Sequence, residues 1–151
     1  MSASERLAGL GVTLPDVARP LAAYVPAVRT GNLVYTSGQL PLADGVLCCT
    51  GKVGNQVTPE QATSAARICA LNALAAIDAL AGIDSVTRVV KVVGFVASAP
   101  GFVGQPAVVN GASELLADVF GAAGAHARSA VGVAELPLDA PVEVEVIVEV
   151  A

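Results

Sequence analysis

The residues best suited to carry chemistry lie near the end of the chain. Arg128 opens a strand-like run, ARSAVGVA (residues 127–134), whose other members are small or apolar. A guanidinium is costly to bury without a partner, and its planar fork suits a bidentate contact with a carboxylate. An interfacial ion pair or a solvent-facing strand end would explain the same position. Arg128 is therefore a candidate clamp for a carboxylate.

A row of glutamates occupies the strand-like run that follows. Glu143, Glu145 and Glu149 alternate with valines in VEVEVIVEV (residues 142–150), which places them on one face of a strand. Such a row is typical of a solvated sheet face, but it also offers a carboxylate for acid–base chemistry. A local turn near residues 135–138 would join the two runs as an antiparallel hairpin. Glu143 would then come within reach of Arg128, with the register left open.

The sequence offers little for metal, nucleophile or phosphate chemistry. His126 is the only histidine, and no spacing typical of a first-row metal site occurs, so no metal is expected. A catalytic triad would need His126 beside Ser129, without the GxSxG turn that would support it. No glycine-rich phosphate loop is present. Cys48, Cys49 and Cys69 lack CxxC spacing and are interpreted as small hydrophobic residues in a reduced protein.

The clearest secondary-structure signal is a long helix in the middle of the chain. Thr58 is a suitable N-cap, Pro59 suits the first helical position, and Gln61 completes a capping box. Apolar residues then recur with a period of 3.6 until Gly82, which is expected to end the helix.

The remaining patterns predict the element order βββ-α-β-α-ββ. Residues 1–20 are interpreted as an N-terminal extension with a short helix over 4–10, and residues 21–151 as a single domain. The strands are predicted over 25–30, 33–37, 46–49, 86–96, 127–134 and 142–150, with Gly94 as a bulge candidate, and the second helix over 106–120. This order favours an α+β fold with a mixed sheet and two helices on one face.

Composition limits the partners and the location. Hydrophobic residues make up 54% of the 151 residues and charged residues 14%, so a second copy of the chain is expected to cover part of the surface. The net charge of −5, the absence of a basic cluster and the five aromatic residues disfavour nucleic acid. Asn72 and Asp78 interrupt the longest apolar stretch, and no signal peptide is recognised, so we expect a cytoplasmic protein without a membrane partner.

Three segments resemble the Rid family of reactive-intermediate (imine/enamine) deaminases, which includes proteins described as YjgF-like or endoribonuclease L-PSP. They are GNLVYTSGQLP (31–41), VVNGASELLADVF (108–120) and ARSAVGVAELPLDAPVEVEVIVEV (127–150). The resemblance extends over residues 24–150, and its last segment is the most specific. It implies a chorismate-mutase-like fold and a homotrimer with clefts between its subunits.

The resemblance also implies roles for individual residues. It makes Arg128 and Glu143 catalytic, and it assigns substrate binding to Tyr24, Ser37, Gly38, Asn110 and Ala130. Ala130 departs from the cysteine that is frequent there in the family, and the segment 42–58 is longer than usual. These departures suggest a side branch of the family.

The implied activity is the cofactor-free hydrolysis of small 2-imino or enamine acids to 2-keto acids and ammonia. Arg128 would hold the carboxylate, while Glu143, aided by a backbone carbonyl near Ala130, would position water. Such imines hydrolyse unaided, so one positioned acid or base, worth about 10²–10⁴-fold, is compatible with the task. The alternative is a non-catalytic, chaperone-like trimer that binds small carboxylates. RNA cleavage is disfavoured by the acidic charge and the single histidine.

Overall fold

A computed structural model describes all 151 residues. The fold consists of a mixed five-stranded sheet with helices packed on one face, and a small two-stranded hairpin. The helices are α1 (Ala3–Gly9), α2 (Pro59–Ala81) and α3 (Gln105–Phe120). The strands are β1 (Ala27–Thr30), β2 (Leu33–Thr36), β3 (Leu42–Ala43), β4 (Val46–Leu47), β5 (Val86–Ala97), β6 (Ala127–Val133) and β7 (Val142–Val150). The predicted α+β class and mixed sheet are confirmed, and α1 corresponds to the short helix predicted over residues 4–10.

The main sheet contains five strands in the order β1-β2-β7-β5-β6. All neighbours are antiparallel except β5 and β6, which run parallel. The third predicted strand does not join this sheet, because β4 pairs only with β3 in a separate two-stranded hairpin. Each of these two strands is only two residues long, and the hairpin that they form is separate from the main sheet.

The predicted hairpin between the strands that carry Arg128 and Glu143 is wrong. β5 lies between β6 and β7 and pairs with both of them. Parallel strands require a long crossover, which is usually a helix, and α3 is that crossover between β5 and β6. The strand–helix–strand order around residues 105–120 was the signal for this arrangement.

The start and the end of α2 agree with the sequence prediction. The Thr58 side chain accepts from the Gln61 N–H at 3.1 Å, and the Gln61 side chain accepts from the Thr58 N–H at 2.9 Å. Gly82 has φ 80°, a conformation that favours glycine, and ends the helix. By length and hydropathy alone α2 could cross a membrane, contrary to the expectation for this stretch, but 56% of its most apolar 18 residues are buried inside the fold.

The core lies between the sheet and the helices. The predicted alternation of β7 is confirmed. Its five valines, at the even-numbered positions, are buried, and the residues between them are partly exposed. Val148 lies opposite Val34 and Val89, so these three buried residues share the helix-covered face. The other face of the sheet carries no helix.

Gly94 does not form the predicted bulge. It pairs regularly with Ala130 and Val144, and the irregularities of β5 lie nearer its start, between Val86 and Lys91. A Cβ at Gly94 would lie 2.4 Å from a methyl group of Val109 on α3. Glycine is therefore needed here for close packing between helix and sheet rather than for a kink.

The first residues of the chain pack against the rest of the fold. α1 begins with a capping box between Ser2 and Glu5, close to the predicted limits of this helix. Leu7 is buried in the core, and the Ser4 hydroxyl donates to Asp84 at 2.6 Å. Hydrogen bonds from Ser4 lower the pKa of the Asp84 carboxyl. This segment therefore contributes one helix to the layer above the sheet.

Candidate functional site

Arg128 is held by oxygen atoms of α3. Its Nη1 donates to Asn110 Oδ1 at 2.7 Å and to Ser113 Oγ at 3.3 Å, and its Nη2 donates to the Pro106 carbonyl at 3.2 Å. Arg128 sits at the start of the edge strand β6, opposite the buried Val92, and so faces the helices. The helix thereby fixes the orientation of the guanidinium at the sheet edge.

None of these partners neutralises the charge of Arg128. All three acceptors are neutral, and the chain contains a single salt bridge, between Lys52 and Glu135. A guanidinium has five N–H donors, and the contacts with α3 use only two of its nitrogens. The remaining donors and the unneutralised charge are available to an anion such as a carboxylate.

Ser113 links Arg128 to the only histidine. His126 Nδ1 lies 2.6 Å from the Gly124 carbonyl and Nε2 lies 2.9 Å from Ser113 Oγ. A carbonyl can only accept, so Nδ1 carries a proton, and in the neutral ring Nε2 accepts the Ser113 hydroxyl proton. Ser113 then has its lone pairs directed to Arg128. The serine that His126 contacts is therefore Ser113, and not Ser129, which the sequence suggested as a triad partner.

Glu143 lies in a different place, against the backbone of Gly38. A Cβ at Gly38 would come within 2.7 Å of the Glu143 carboxylate, so a larger residue at this position would displace the Glu143 side chain. Burial, and secondarily the charge of Glu145, raises the pKa of the Glu143 carboxyl. A carboxylate with a raised pKa is a stronger base than an exposed one, which is a property suited to activating water.

A cavity of about 240 Å³ opens beside Glu143. The segment that precedes β1 forms one wall, and the residues that follow β2 form the other. Its polar side chains are Glu143, Arg19, Gln39 and Tyr24, and its bulky apolar lining includes Leu21, Leu40 and Leu42. The cavity therefore combines one half-buried carboxylate and one guanidinium with a largely apolar lining.

Tyr24, Ser37 and Gly38 lie near this cavity, but the two hydroxyls have local partners. Tyr24 lines the cavity, and its Oη accepts from the Leu21 N–H at 3.1 Å. Ser37 Oγ donates to the Val25 carbonyl at 2.6 Å. Both hydroxyls thus hold the segment before β1 in place.

The predicted site residues separate into two groups on opposite faces of the sheet. Arg128, Asn110 and Ala130 belong to the helix-covered face, where Ala130 pairs with Gly94 beneath α3. The second group, Tyr24, Ser37, Gly38 and Glu143, surrounds or adjoins the cavity, and Glu143 pairs with Phe95 on the open face. A single chain therefore does not bring Arg128 and Glu143 together.

Sequence analysis missed several members of these groups. The helix periodicity of residues 106–120 could have placed Ser113 on the side of Asn110, three residues away along α3. Asn72 is buried in α2, and its amide donates to the Leu40 and Leu42 carbonyls, both at 3.0 Å. Asn72 thus fixes one wall of the cavity. Its long-range partners leave no local pattern in the sequence.

No three His, Cys, Asp or Glu side chains lie close enough together to hold a metal ion.

Comparison with known proteins identifies the family. The sequence model of the endoribonuclease L-PSP family matches residues 16–150. The chain belongs to this family, which is also known as the YjgF or Rid family. The resemblance inferred from the sequence is therefore confirmed.

Individual Rid relatives cover almost the whole chain. Protein TCP17 of Trypanosoma cruzi is 46% identical over 142 residues, which cover 93% of this chain and 89% of the relative. The 2-iminobutanoate/2-iminopropanoate deaminase of Dermatophagoides farinae is 33% identical over 139 residues, with coverages of 91% and 93%. The crystal structure of a protein of unknown function from Agrobacterium tumefaciens is 48% identical, with a TM-score of 0.91 and coverages of 99% and 92%.

Proposed function

We propose that the protein is a cofactor-free deaminase that hydrolyses small 2-imino or enamine acids to 2-keto acids and ammonia. The observation that carries the proposal is the state of Arg128. Its guanidinium is oriented by three neutral oxygens and has no counter-ion. This is the arrangement expected of a clamp for the carboxylate of a substrate. The 33% identity to a deaminase of Dermatophagoides farinae supports the same activity.

The proposal requires two copies of the chain at each site. Arg128 and Glu143 face opposite sides of the sheet, so the clamp of one subunit must meet the Glu143 cavity of another. Closed cyclic assemblies generate such heterologous contacts repeatedly. We propose a homotrimer with three identical clefts, as the Rid family resemblance implies, in the cytoplasm, without a nucleic-acid or membrane partner.

The proposed reaction uses only side chains and water. Arg128 binds the substrate carboxylate, and Glu143 takes a proton from a water molecule that attacks the imine carbon. The new C–O bond forms as the C=N π electrons move to nitrogen, which takes up a proton. The resulting carbinolamine expels ammonia and leaves a 2-keto acid. Positioning of the reactants and one acid–base group lower the barrier.

A coupled assay tests this function. An amino-acid oxidase generates the imino acid in the presence of semicarbazide, and semicarbazone formation reports the imine that escapes hydrolysis. The wild-type protein is expected to suppress semicarbazone formation, while Arg128→Ala and Glu143→Gln should lose this effect by at least about 10²-fold. Arg67→Ala, which removes an arginine of α2 that belongs to neither group, serves as the matched control.

The result can also refute the proposal. Unchanged semicarbazone formation across small and bulky amino acids would exclude a deaminase of this class. Binding of pyruvate that depends on Arg128 but occurs without turnover would instead support the non-catalytic carboxylate-binding trimer. Equal losses in Arg128→Ala and Arg67→Ala would show a nonspecific effect of removing positive charge.

A further inference from the structure

Two adjacent cysteines follow β4 and direct their thiols toward each other. Cys48 Sγ and Cys49 Sγ are 3.6 Å apart. Neighbouring side chains in a regular strand point to opposite faces, so this shared direction results from the local turn of the chain. Cys48 is exposed and Cys49 is partly buried, which leaves the pair open to small solutes.

The separation of the two sulfurs suits chelation better than a disulfide. Sulfur lies about 2.3 Å from a bound soft ion such as zinc. Two sulfurs 3.6 Å apart then subtend an angle of roughly 100° at a shared centre, which is close to tetrahedral. A disulfide would require the same sulfurs to approach to about 2.05 Å. The pair is thus arranged to bind one centre through two sulfurs without rearrangement.

We propose that Cys48 and Cys49 form a bidentate binding site for thiophilic trivalent centres, specifically for monosubstituted arsenic(III) compounds. The proposal commits to a two-thiol ligand for a geometric reason. Cys69 is fully buried, and its thiol is 3.6 Å from the Val142 carbonyl. No group of three potential metal ligands forms anywhere in the chain. A monosubstituted arsenical needs only two sulfurs, because carbon occupies its third position.

The binding step balances without an oxidant or a reductant. In phenylarsine oxide the arsenic–oxygen bond breaks, and two arsenic–sulfur bonds form. The two thiol protons go to the oxygen and leave as water, and arsenic stays trivalent. The products are a nine-membered chelate ring, closed through the peptide bond between Cys48 and Cys49, and one water molecule.

The raised pKa of Cys49 distinguishes the pair from a single reactive thiol. Burial, the hydrogen bond with Cys48 and the charge of Cys48 raise the pKa of the Cys49 thiol to about 11. The thiolate is the nucleophile in alkylation, so Cys49 is a poor target for simple alkylating reagents at neutral pH. Chelation remains favourable because the first sulfur–arsenic bond holds the second thiol nearby.

The site lies next to the candidate cavity but contributes none of its lining. The Cys48 N–H donates to the Pro41 carbonyl at 3.1 Å, and the neighbouring Leu40 and Leu42 line the cavity. Neither cysteine belongs to the Arg128 group or the Glu143 group. The proposal therefore stands independently of the deaminase activity.

Titration of the reduced, folded protein with phenylarsine oxide tests the proposal. Intact-mass measurement is expected to show one adduct per chain, with the loss of two titratable thiols. Cys48→Ser and Cys49→Ser should each weaken binding by roughly 10²–10⁴-fold, the gain that a tethered second ligand provides. Cys69→Ser is the matched control and should bind as tightly as the wild type.

Three outcomes would overturn the proposal. They are no adduct on the folded chain, undiminished binding by either Cys48→Ser or Cys49→Ser, and loss of binding in Cys69→Ser with retained far-UV circular dichroism. Circular dichroism of every variant separates lost ligation from lost folding. An adduct that appears only after denaturation would show that the folded geometry does not support the site.

Discussion

At the scale of single residues, the central observation is that neutral groups orient the key arginine. Asn110, Ser113 and the Pro106 carbonyl restrict the Arg128 side chain without cancelling its charge. An acidic partner would compete with a substrate carboxylate for the same donors. Restriction before binding also reduces the side-chain entropy lost when the ligand arrives. The contacts therefore favour anion binding over a structural ion pair.

Ser113 is expected to act as a positioning residue for Arg128. Ser113→Ala removes one acceptor from Nη1 and the link to His126, while Asn110 still holds the guanidinium. Under the proposed function, KM should rise about three- to tenfold, because a hydrogen bond of about 1 kcal/mol is lost, and kcat should change little. Steady-state kinetics beside Glu114→Gln, an exposed neighbour on α3, measures the effect. A fall in kcat at constant KM would contradict this role.

Glu143 is expected to reduce stability at neutral pH. Burial raises the pKa of its carboxyl in the folded state, so the native chain binds more protons than the unfolded chain above pH 4.5. The free energy of unfolding then decreases as the pH rises through the interval up to the raised pKa. Glu143→Gln should therefore equal or exceed the wild type in stability at pH 7, and the difference should shrink toward pH 4.

Urea unfolding midpoints at the two pH values measure this difference. Glu149→Gln on the same strand controls for the loss of one negative charge. A Glu143→Gln protein that is less stable than the wild type at pH 7 would show that the carboxylate makes a net favourable contact. Combined with the activity assay, the experiment separates a catalytic loss from unfolding.

At the scale of elements, close packing of the two long helices positions the Arg128 group. Gly111 of α3 lies against α2, where a Cβ would come 2.0 Å from the Thr63 carbonyl oxygen. The approach of the helices sets the height of α3 above β5 and β6. That height decides whether Asn110 and Ser113 can reach Arg128. A glycine in mid-helix, which costs about 1 kcal/mol relative to alanine, is explained by this contact.

Gly111→Ala is expected to destabilise the fold despite the higher helix propensity of alanine. Overpacking typically costs about 1–3 kcal/mol, and here the obstacle is backbone rather than a flexible side chain. Gly9→Ala in α1 is the control, because a Cβ there meets nothing within 4 Å. Thermal unfolding should show a lower Tm for the first variant and an unchanged or higher Tm for the second. Stabilisation by both substitutions would contradict the packing argument.

At the scale of the whole molecule, the two faces of the sheet have different environments. The helices cover one face, whereas the other carries Val28, Tyr35 and Val131 with 53%, 42% and 44% of their surfaces exposed. These residues belong to the strands β1, β2 and β6, and the glutamates of β7 lie between them on the same face. A shared interface between copies would bury this face and would also bring Arg128 of one chain to the cavity of another.

Assembly is therefore expected to depend on the open face. Analytical ultracentrifugation should show a particle of three 14.9-kDa chains. Val131→Lys should dissociate it, because burial of an unpaired ammonium at the interface is unfavourable. Val103→Lys, at a loop residue that is 82% exposed, serves as the control. A wild-type monomer at micromolar concentration, or equal effects of both substitutions, would contradict the proposed trimer.

Local signals predicted the elements better than their pairing. The limits of α2 followed from Thr58, Pro59 and Gly82, because capping and helix ends depend on residues a few positions apart. The pairing of β6 was mispredicted as a hairpin with β7, since strand neighbours are chosen by long-range packing. Gly94 was misinterpreted for the same reason, as its contact with Val109 spans two elements.

The sequence by itself determined the helices, the alternating strand β7, the family and the residue types available for chemistry. Each of these depends on local patterning or on a recognisable motif. Only the tertiary structure decided that β5 separates Arg128 from Glu143 and that these two residues face opposite sides of the sheet. It also decided that Ser113 and His126 support Arg128. The physical reason is that strand order and side-chain contacts are set by the burial of the whole core, which no local segment encodes.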